Sequence, residues 1–205
     1  MTTKDIQQAV AFAGLDPLSS EEVEKFAQYL ALLLKWNAKL NLTAVREPAR
    51  IIQRHFLDCI QCARVIPKIQ TYLDFGSGAG LPGIPVAILR PDLEVTLGES
   101  QAKKSAFLRE TVRTLNLKAR VFDGRIEAMS PDALFDAVSL RAVDKMGEAC
   151  AAAVRRLSQG GCLILFGTSA TEGLLRSATE VITWSDPIPL KGMDDGFLHM
   201  GQKTR

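Results

Sequence analysis

The first third of the chain is patterned for helices, and the rest for a sheet covered on both faces. Residues 1–64 read as helical. Pro17-Leu-Ser19-Ser-Glu-Glu22 predicts a helix start, with Ser19 as N-cap and Glu22 closing a capping box. Val23, Phe26, Leu30, Leu33 and Leu34 then share one face. Trp36-Asn37 and Asn41-Leu-Thr43 end that helix. Another is expected from Glu47-Pro48, with proline in its first turn. Its apolar positions are Ile51, Ile52, Phe56, Leu57 and Ile60, and it ends before Pro67.

The pattern changes at residue 71. Short apolar strands are expected at residues 71–75, 94–98, 120–122, 135–140 and 162–166, and helices at 85–89, 102–115, 146–157 and 170–178. Residues 180–184 and 197–202 predict a closing antiparallel hairpin at the sheet edge. Strands alternating with helices imply βαβ units, a mostly parallel sheet and right-handed crossovers. The expected fold class is α/β, with a helical extension over residues 1–68 and a sheet domain over 69–205.

Composition narrows the setting. The 205 residues are 47% hydrophobic and 23% charged, which excludes disorder as the main state. The longest apolar run, residues 29–34, is far short of the ~20 residues that span a bilayer. The N-terminus has no apolar signal segment, and four cysteines are too few for a disulfide scaffold. A cytoplasmic monomer without membrane association is expected. The net charge of +2 does not by itself announce a nucleic-acid partner.

The richest chemistry is in Asp74-Phe-Gly76-Ser77-Gly78-Ala-Gly80-Leu81-Pro-Gly83. It follows a strand and precedes a helix, where open α/β sheets bind ligands. Glu99 ends the next strand, placed to accept hydrogen bonds from both hydroxyls of a ribose. A dinucleotide site needs G-x-G-x-x-G with a pyrophosphate on the helix N-terminus. This chain has G-x-G-x-G, prolines crowding the helix start, and an acid two residues before the first glycine. Asp-x-Gly-x-Gly-x-Gly is the pattern of S-adenosylmethionine (SAM) methyltransferases, with Asp74 placed to organise the methionine ammonium directly or through water. A dinucleotide and a purely structural turn remain the alternatives.

The chain resembles the bacterial 16S rRNA guanine-N7 methyltransferases, the RsmG or GidB family. The matching pieces are Lys35-Trp-Asn-Ala-Lys-Leu-Asn-Leu-Thr43, Arg54-His-Phe-Leu-Asp58, the glycine loop through Gly83-Ile-Pro85, residues 103–108, Arg125-Ile-Glu127 and Leu140-Arg-Ala142. The resemblance implies a class I SAM-dependent methyltransferase, Rossmann-like, with a mostly parallel seven-stranded sheet and the N-terminal helical extension. It implies that Gly76, Gly78 and Leu81 line the methionine and ribose side of the cofactor, and that Ile126 and Glu127 sit beside the adenine; Ser77 joins Asp74 and Glu99 as a candidate cofactor contact. Arg141 would stand beside both SAM and the target base, as the catalytic and cofactor-contacting arginine. The implied partner is 16S rRNA in the small ribosomal subunit or its assembly intermediate.

The chemistry agrees with that resemblance. Guanine N7 carries a lone pair and no proton, so its methylation needs alignment and electrostatics but no general base. The motifs for adenine amino or cytosine C5 methylation, Asn/Asp-Pro-Pro-Tyr and Pro-Cys after strand four, are absent. Arg46, Arg50 and Arg54 fall at i, i+4 and i+8, as if along one helix face. With His55, Lys103, Lys104 and Arg125 they are the candidate RNA contacts. Cys59-x-x-Cys62 lies inside a predicted helix without a second ligand pair, so buried thiols are expected there and no metal. The family usually has aspartate where this chain has Glu99, and commonly Leu-Lys-Gly after strand five, where this chain reads Leu165-Phe-Gly-Thr168. The alternatives are the same cofactor with another RNA or small-molecule substrate, or a ribosome-binding module of weak activity.

Overall fold

The computed structural model describes residues 2–204 apart from 144, 172, 174 and 176–180. Four helices come first: α1 (Thr3–Phe12), α2 (Ser20–Leu40), α3 (Pro48–Ile51) and α4 (Leu57–Val65). The alternating part follows as β1 (Thr71–Phe75), α5 (Gly83–Leu89), β2 (Glu94–Glu99), α6 (Ala102–Thr114), β3 (Ala119–Asp123), β4 (Phe135–Arg141), α7 (Met146–Arg156) and β5 (Leu157–Gly167). Three strands close it: β6 (Ile182–Trp184), β7 (Ile188–Pro189) and β8 (Phe197–Lys203).

Local chemistry sets the helix ends. The Ser19 hydroxyl accepts from the Glu22 amide at 3.2 Å, and the Glu22 carboxylate accepts from the Ser19 amide at 2.6 Å. Such a cap contributes about 1 kcal/mol. α2 stops at Asn41, which takes the left-handed conformation (φ 47°) that asparagine tolerates at a helix end. Pro48 opens α3, where its missing N–H costs nothing. α3 runs into α4 through a π-helical turn, Ile52–Phe56, in which the Leu57 amide reaches back to the Ile52 carbonyl.

The sheet order is β3-β2-β1-β4-β5-β8-β6, with β7 also on β8. β1 to β5 pair in parallel, and β8 runs antiparallel to β5, β6 and β7. Alternate residues of each central strand face opposite cores. Tyr72, Ala137 and Ile164 join the apolar core shared with α1, α2, α4, α5 and α6. Leu73, Val138 and Leu163 join the core under α7. The N-terminal helices therefore bury their apolar faces in the core of the sheet, with Phe56 packed between Phe26 and Tyr29 at ring distances of 5.2 and 5.3 Å.

The expected antiparallel pairing of the two late strands stands at the sheet edge, where β6 pairs β8 and β8 pairs β5. One expectation about the sheet changes: among the described residues it has eight strands, not seven. β7 is two residues long and contains Pro189, too short to leave a period in the sequence. Of the helix expected at 170–178, Ser169–Thr171 is a 3-10 turn and most of the rest lies outside the described residues. So does residue 180, the expected start of the sixth strand.

α4 also grips the connection between β7 and β8. The Gln61 amide group donates to the Pro189 carbonyl at 2.8 Å and accepts from the Lys191 amide at 3.1 Å. The Gly192 amide donates to Asp58 at 2.9 Å. A Cβ on residue 192 would meet the Gln53 carbonyl and lie 2.7 Å from Asp58 Oδ1. Gly192→Ala is expected to lower stability by about 1–3 kcal/mol through this overpacking, read from urea unfolding midpoints. An unchanged midpoint would show that the connection does not dock tightly on the π turn.

Candidate active site

The order of strands reverses at β1, which has β2 on one side and β4 on the other, so a crevice opens beyond their carboxyl ends. The glycine loop turns back into that crevice. Gly76, Gly78 and Gly80 have φ of 74°, 54° and 85°, where a side chain would be strained. The Gly76 and Ser77 amides both donate to the Gly98 carbonyl at 2.9 Å. From the helical extension, the Tyr29 hydroxyl donates to the Ala79 carbonyl at 2.6 Å.

Asp74 braces the loop from below. Its carboxylate accepts from the Gly83 amide and from the Ser139 hydroxyl, each at 3.0 Å. It is 1% exposed, and burial pushes its carboxyl up to about 6 against those hydrogen bonds. A Cβ on Gly83 would lie 2.9 Å from the Asp74 Cβ, so the glycine lets α5 begin directly over the acid. Asp74, expected to organise the ligand's ammonium directly or through water, does not border the cleft, and each of its oxygens accepts one hydrogen bond from the fold.

Glu99, the last residue of β2, does border the cleft. Its carboxylate accepts from the Gly78 amide at 2.9 Å and the Gln101 amide at 2.8 Å. The longer arm of glutamate lets it lie back on the glycine loop. Gly98 before it leaves room for Ile126, whose side chain a Cβ there would strike. Ile126 is buried and Glu127 exposed on a short 3-10 turn beside the cleft. Gly76, Ser77, Gly78 and Leu81 line the same space, whose volume is about 610 Å³. That lies within the roughly 300–1,000 Å³ of small-molecule sites. A glycine loop that lets a ligand approach its backbone, a strand-end carboxylate and an apolar wall fit an amino-acid nucleoside.

The other end of the cleft belongs to the helical extension. Arg141, ending β4, turns its guanidinium toward the π turn and α4. It donates to the Cys59 sulfur and the Arg54 carbonyl at 3.0 Å, and to Asp58 at 3.2 Å, and lies 4.9 Å from the centre of the Phe166 ring. Burial pushes the Asp58 carboxyl up to about 6 although Arg141 opposes it. Burial likewise pushes the Cys59 thiol up to about 12, so it is an acceptor there and not a nucleophile. His55 sits between Arg141 (3.2 Å from Nδ1) and the Thr43 hydroxyl (3.0 Å from Nε2). Burial and then the Arg141 charge lower its pKa from 6.5 to about 4.

The expected RNA contacts divide. His55, Lys104 and Arg125 border the cleft. Arg50, Arg54 and Lys103 are exposed outside its lining. The arginine stripe is corrected. Arg46 precedes the helix and donates to Asn41 at 3.1 Å, because the helix starts at Pro48. The π turn then changes the angular step before Arg54. Sequence reasoning missed Thr43, Gln101, Lys145 and Glu148 as lining residues. Thr43 ends a stretch already singled out. Lys145 takes φ 51° before α7 and lies 3.2 Å from Glu148, a position that only the fold reveals. It brings a cation to the cleft in a chain without the lysine common after strand five.

This fold and site define a class I SAM-dependent methyltransferase. N-methyltransferase NodS from Bradyrhizobium japonicum, solved with S-adenosyl-L-homocysteine, superposes with a TM-score of 0.60 over 85% of this chain and 99% of that one, at 17% identity. The P. horikoshii protein TYW2, in complex with MeSAdo, has a TM-score of 0.61 over 74% of this chain and 64% of its own, at 13% identity. The family model for rRNA small subunit methyltransferase G (GidB) matches residues 22–188, and the chain belongs to that family. It is 42% identical to ribosomal RNA small subunit methyltransferase G of Chromobacterium violaceum, over 71% of this chain and 70% of that relative. The match to the Xanthomonas euvesicatoria protein of the same name is 46% identical, over 67% of this chain and 65% of the relative.

The depressed His55 pKa has a definite sign. The contribution of neutral His55 to stability is present above its unfolded pKa of 6.5 and is lost as pH falls through about 4. Nitrogen-15 NMR is expected to show His55 neutral at pH 5, protonated on Nε2 and bare on Nδ1. His55→Gln should shallow the fall in stability between pH 6.5 and 4. An imidazole that titrates near 6.5 would contradict the buried arrangement.

Proposed function

We propose that this protein transfers the methyl group of SAM to N7 of a guanine in 16S rRNA of the small ribosomal subunit. The observation that carries the reading is one cleft with two differently built ends. The glycine loop and Glu99 form one, and His55, Thr43 and Arg141 form the other. Among the described residues at the second end, His55 is hydrogen-bonded at both nitrogens, and Asp58 holds Arg141 and the Gly192 amide. A nucleophile without a proton suits that arrangement, and guanine N7 is one.

Gly76, Ser77, Gly78, Leu81, Glu99, Ile126 and Glu127 are assigned to the cofactor, with Asp74 acting beneath the loop. SAM supplies an electrophilic methyl on a sulfonium, so transfer places a positive charge on the purine. Neutral His55 adds no further positive charge to a cleft bordered by Glu99, Glu127 and Glu148 as well as by Lys104, Arg125, Arg141 and Lys145. Arg141 shapes the base-binding end and acts on it through its field. Lys104, Arg125 and Lys145, with the more distant Arg46, Arg50, Arg54 and Lys103, are assigned to rRNA phosphates. The setting proposed is the cytoplasm, with a monomer in which residues 1–68 and 69–205 work as one unit.

Small subunits lacking the modification, incubated with tritiated SAM and this protein, test the reading. Borohydride and aniline cleave the backbone at N7-methylguanine, and a single cleavage in 16S rRNA is expected. Incorporation without cleavage would move the methyl to another atom. No incorporation, despite SAM binding, would overturn the substrate.

A further inference from the structure

The base-binding end of the cleft contains a hydroxyl whose proton has one place to go. α2 ends in left-handed Asn41, and the chain then carries Leu42, Thr43 and Ala44 along the cleft. Buried Asn37 holds this stretch by the backbone, donating to the Thr43 carbonyl at 3.0 Å and accepting from the Thr43 amide at 2.9 Å. The Thr43 backbone is thus fixed before any ligand arrives.

Proton bookkeeping sets the hydroxyl. Arginine only donates, and Arg141 Nη2 shares its two hydrogens among the Arg54 carbonyl, Asp58 and, at 3.2 Å, His55 Nδ1, a contact in which Nδ1 is the acceptor. A neutral imidazole then carries its proton on Nε2, which donates to the Thr43 oxygen at 3.0 Å. A protonated His55 would set two donors against each other. The Val45 amide donates to the same Thr43 oxygen at 3.1 Å. Both acceptor sites of the hydroxyl are filled, and its own proton has no acceptor among the described residues. Thr43 is a donor to the cleft and cannot also accept there.

We infer that Thr43 donates to O6 of the target guanine and selects guanine over adenine. The inference rests on the proposed function and deepens it. Methylation at N7 requires the edge bearing N7 to meet the cofactor. On that edge guanine presents two acceptors, N7 and O6, whereas adenine presents the N7 acceptor and an amino donor. An adenine amino group would face a hydroxyl with no lone pair left. A guanine O6 takes the outward proton and leaves the N7 lone pair free for the methyl. Arg141, His55 and Val45 act through Thr43 as a relay that fixes the direction of its hydrogen bond.

The test uses small subunits reconstituted with guanosine, inosine or 2-aminopurine at the target nucleotide. Inosine keeps O6, and 2-aminopurine lacks it. The unaltered enzyme is expected to favour guanosine and inosine over 2-aminopurine by about tenfold in kcat/KM, the scale of one hydrogen bond. Thr43→Val should collapse that preference toward unity while leaving S-adenosylhomocysteine affinity, measured by calorimetry, unchanged. Thr43→Ser, which keeps the hydroxyl, should retain the preference. A Thr43→Val enzyme slowed equally on all three substrates would overturn the inference. So would Thr43→Ser losing the preference, or an unaltered enzyme that does not distinguish 2-aminopurine. Failure of the unaltered enzyme to methylate guanosine at N7 overturns the proposed function instead, and is seen before any variant is made.

Discussion

The part-buried guanidinium of Arg141 is the constraint on which the arrangement depends. Its side chain is 11% exposed, and its acidic partner Asp58 is fully buried. Removing two charges from water costs several kcal/mol for each, and only close, well-aimed partners offset that cost. The polar partners of Arg141 come from residues 54–59, all in the helical extension, and Phe166 of β5 gives the guanidinium an aromatic ring. Separating the extension from the sheet would strip the guanidinium of all these polar partners. The π turn belongs to the same solution, since the Arg54 carbonyl that Arg141 holds lies within it. Asp58 extends the junction to the β7–β8 connection through the Gly192 amide.

The cleft is consequently a product of two parts of the chain. The sheet supplies the glycine loop, Glu99 and the Ile126 wall. The extension supplies Thr43 and His55, and reaches under the loop through the Tyr29 hydroxyl. The strongly perturbed groups near the cleft are structural in origin. Asp74 is raised by burial beneath the loop, and His55 is lowered by burial beside a cation. Neither needs to move a proton for a reaction whose nucleophile is a purine nitrogen.

Much of this was legible from local pattern. The α2 cap, the alternation of strands and helices, the glycine loop and the acid ending β2 each lie within a few residues of their own signals. What escaped depends on contacts between distant parts of the chain. Asp74 reads as a ligand contact because its motif does not show Ser139 across the sheet or Gly83 above it. Arg141 reads as a free donor fork because its partners lie more than 80 positions away. The arginine stripe assumed an unbroken helix of uniform pitch, and Pro48 and the π turn remove both conditions. Thr43 stood within a noticed stretch, but the direction of its proton follows only from His55 and Arg141.

Hydrogen exchange on Arg141→Met tests the central claim most directly. The variant keeps much of the side-chain bulk and removes the charge. The account predicts that amides of residues 48–65 and of the 188–192 connection lose protection together, while β1, β2 and the core of β4 keep theirs. Unchanged protection in the helices would show that the extension is held by apolar packing alone and that Arg141 is not the junction.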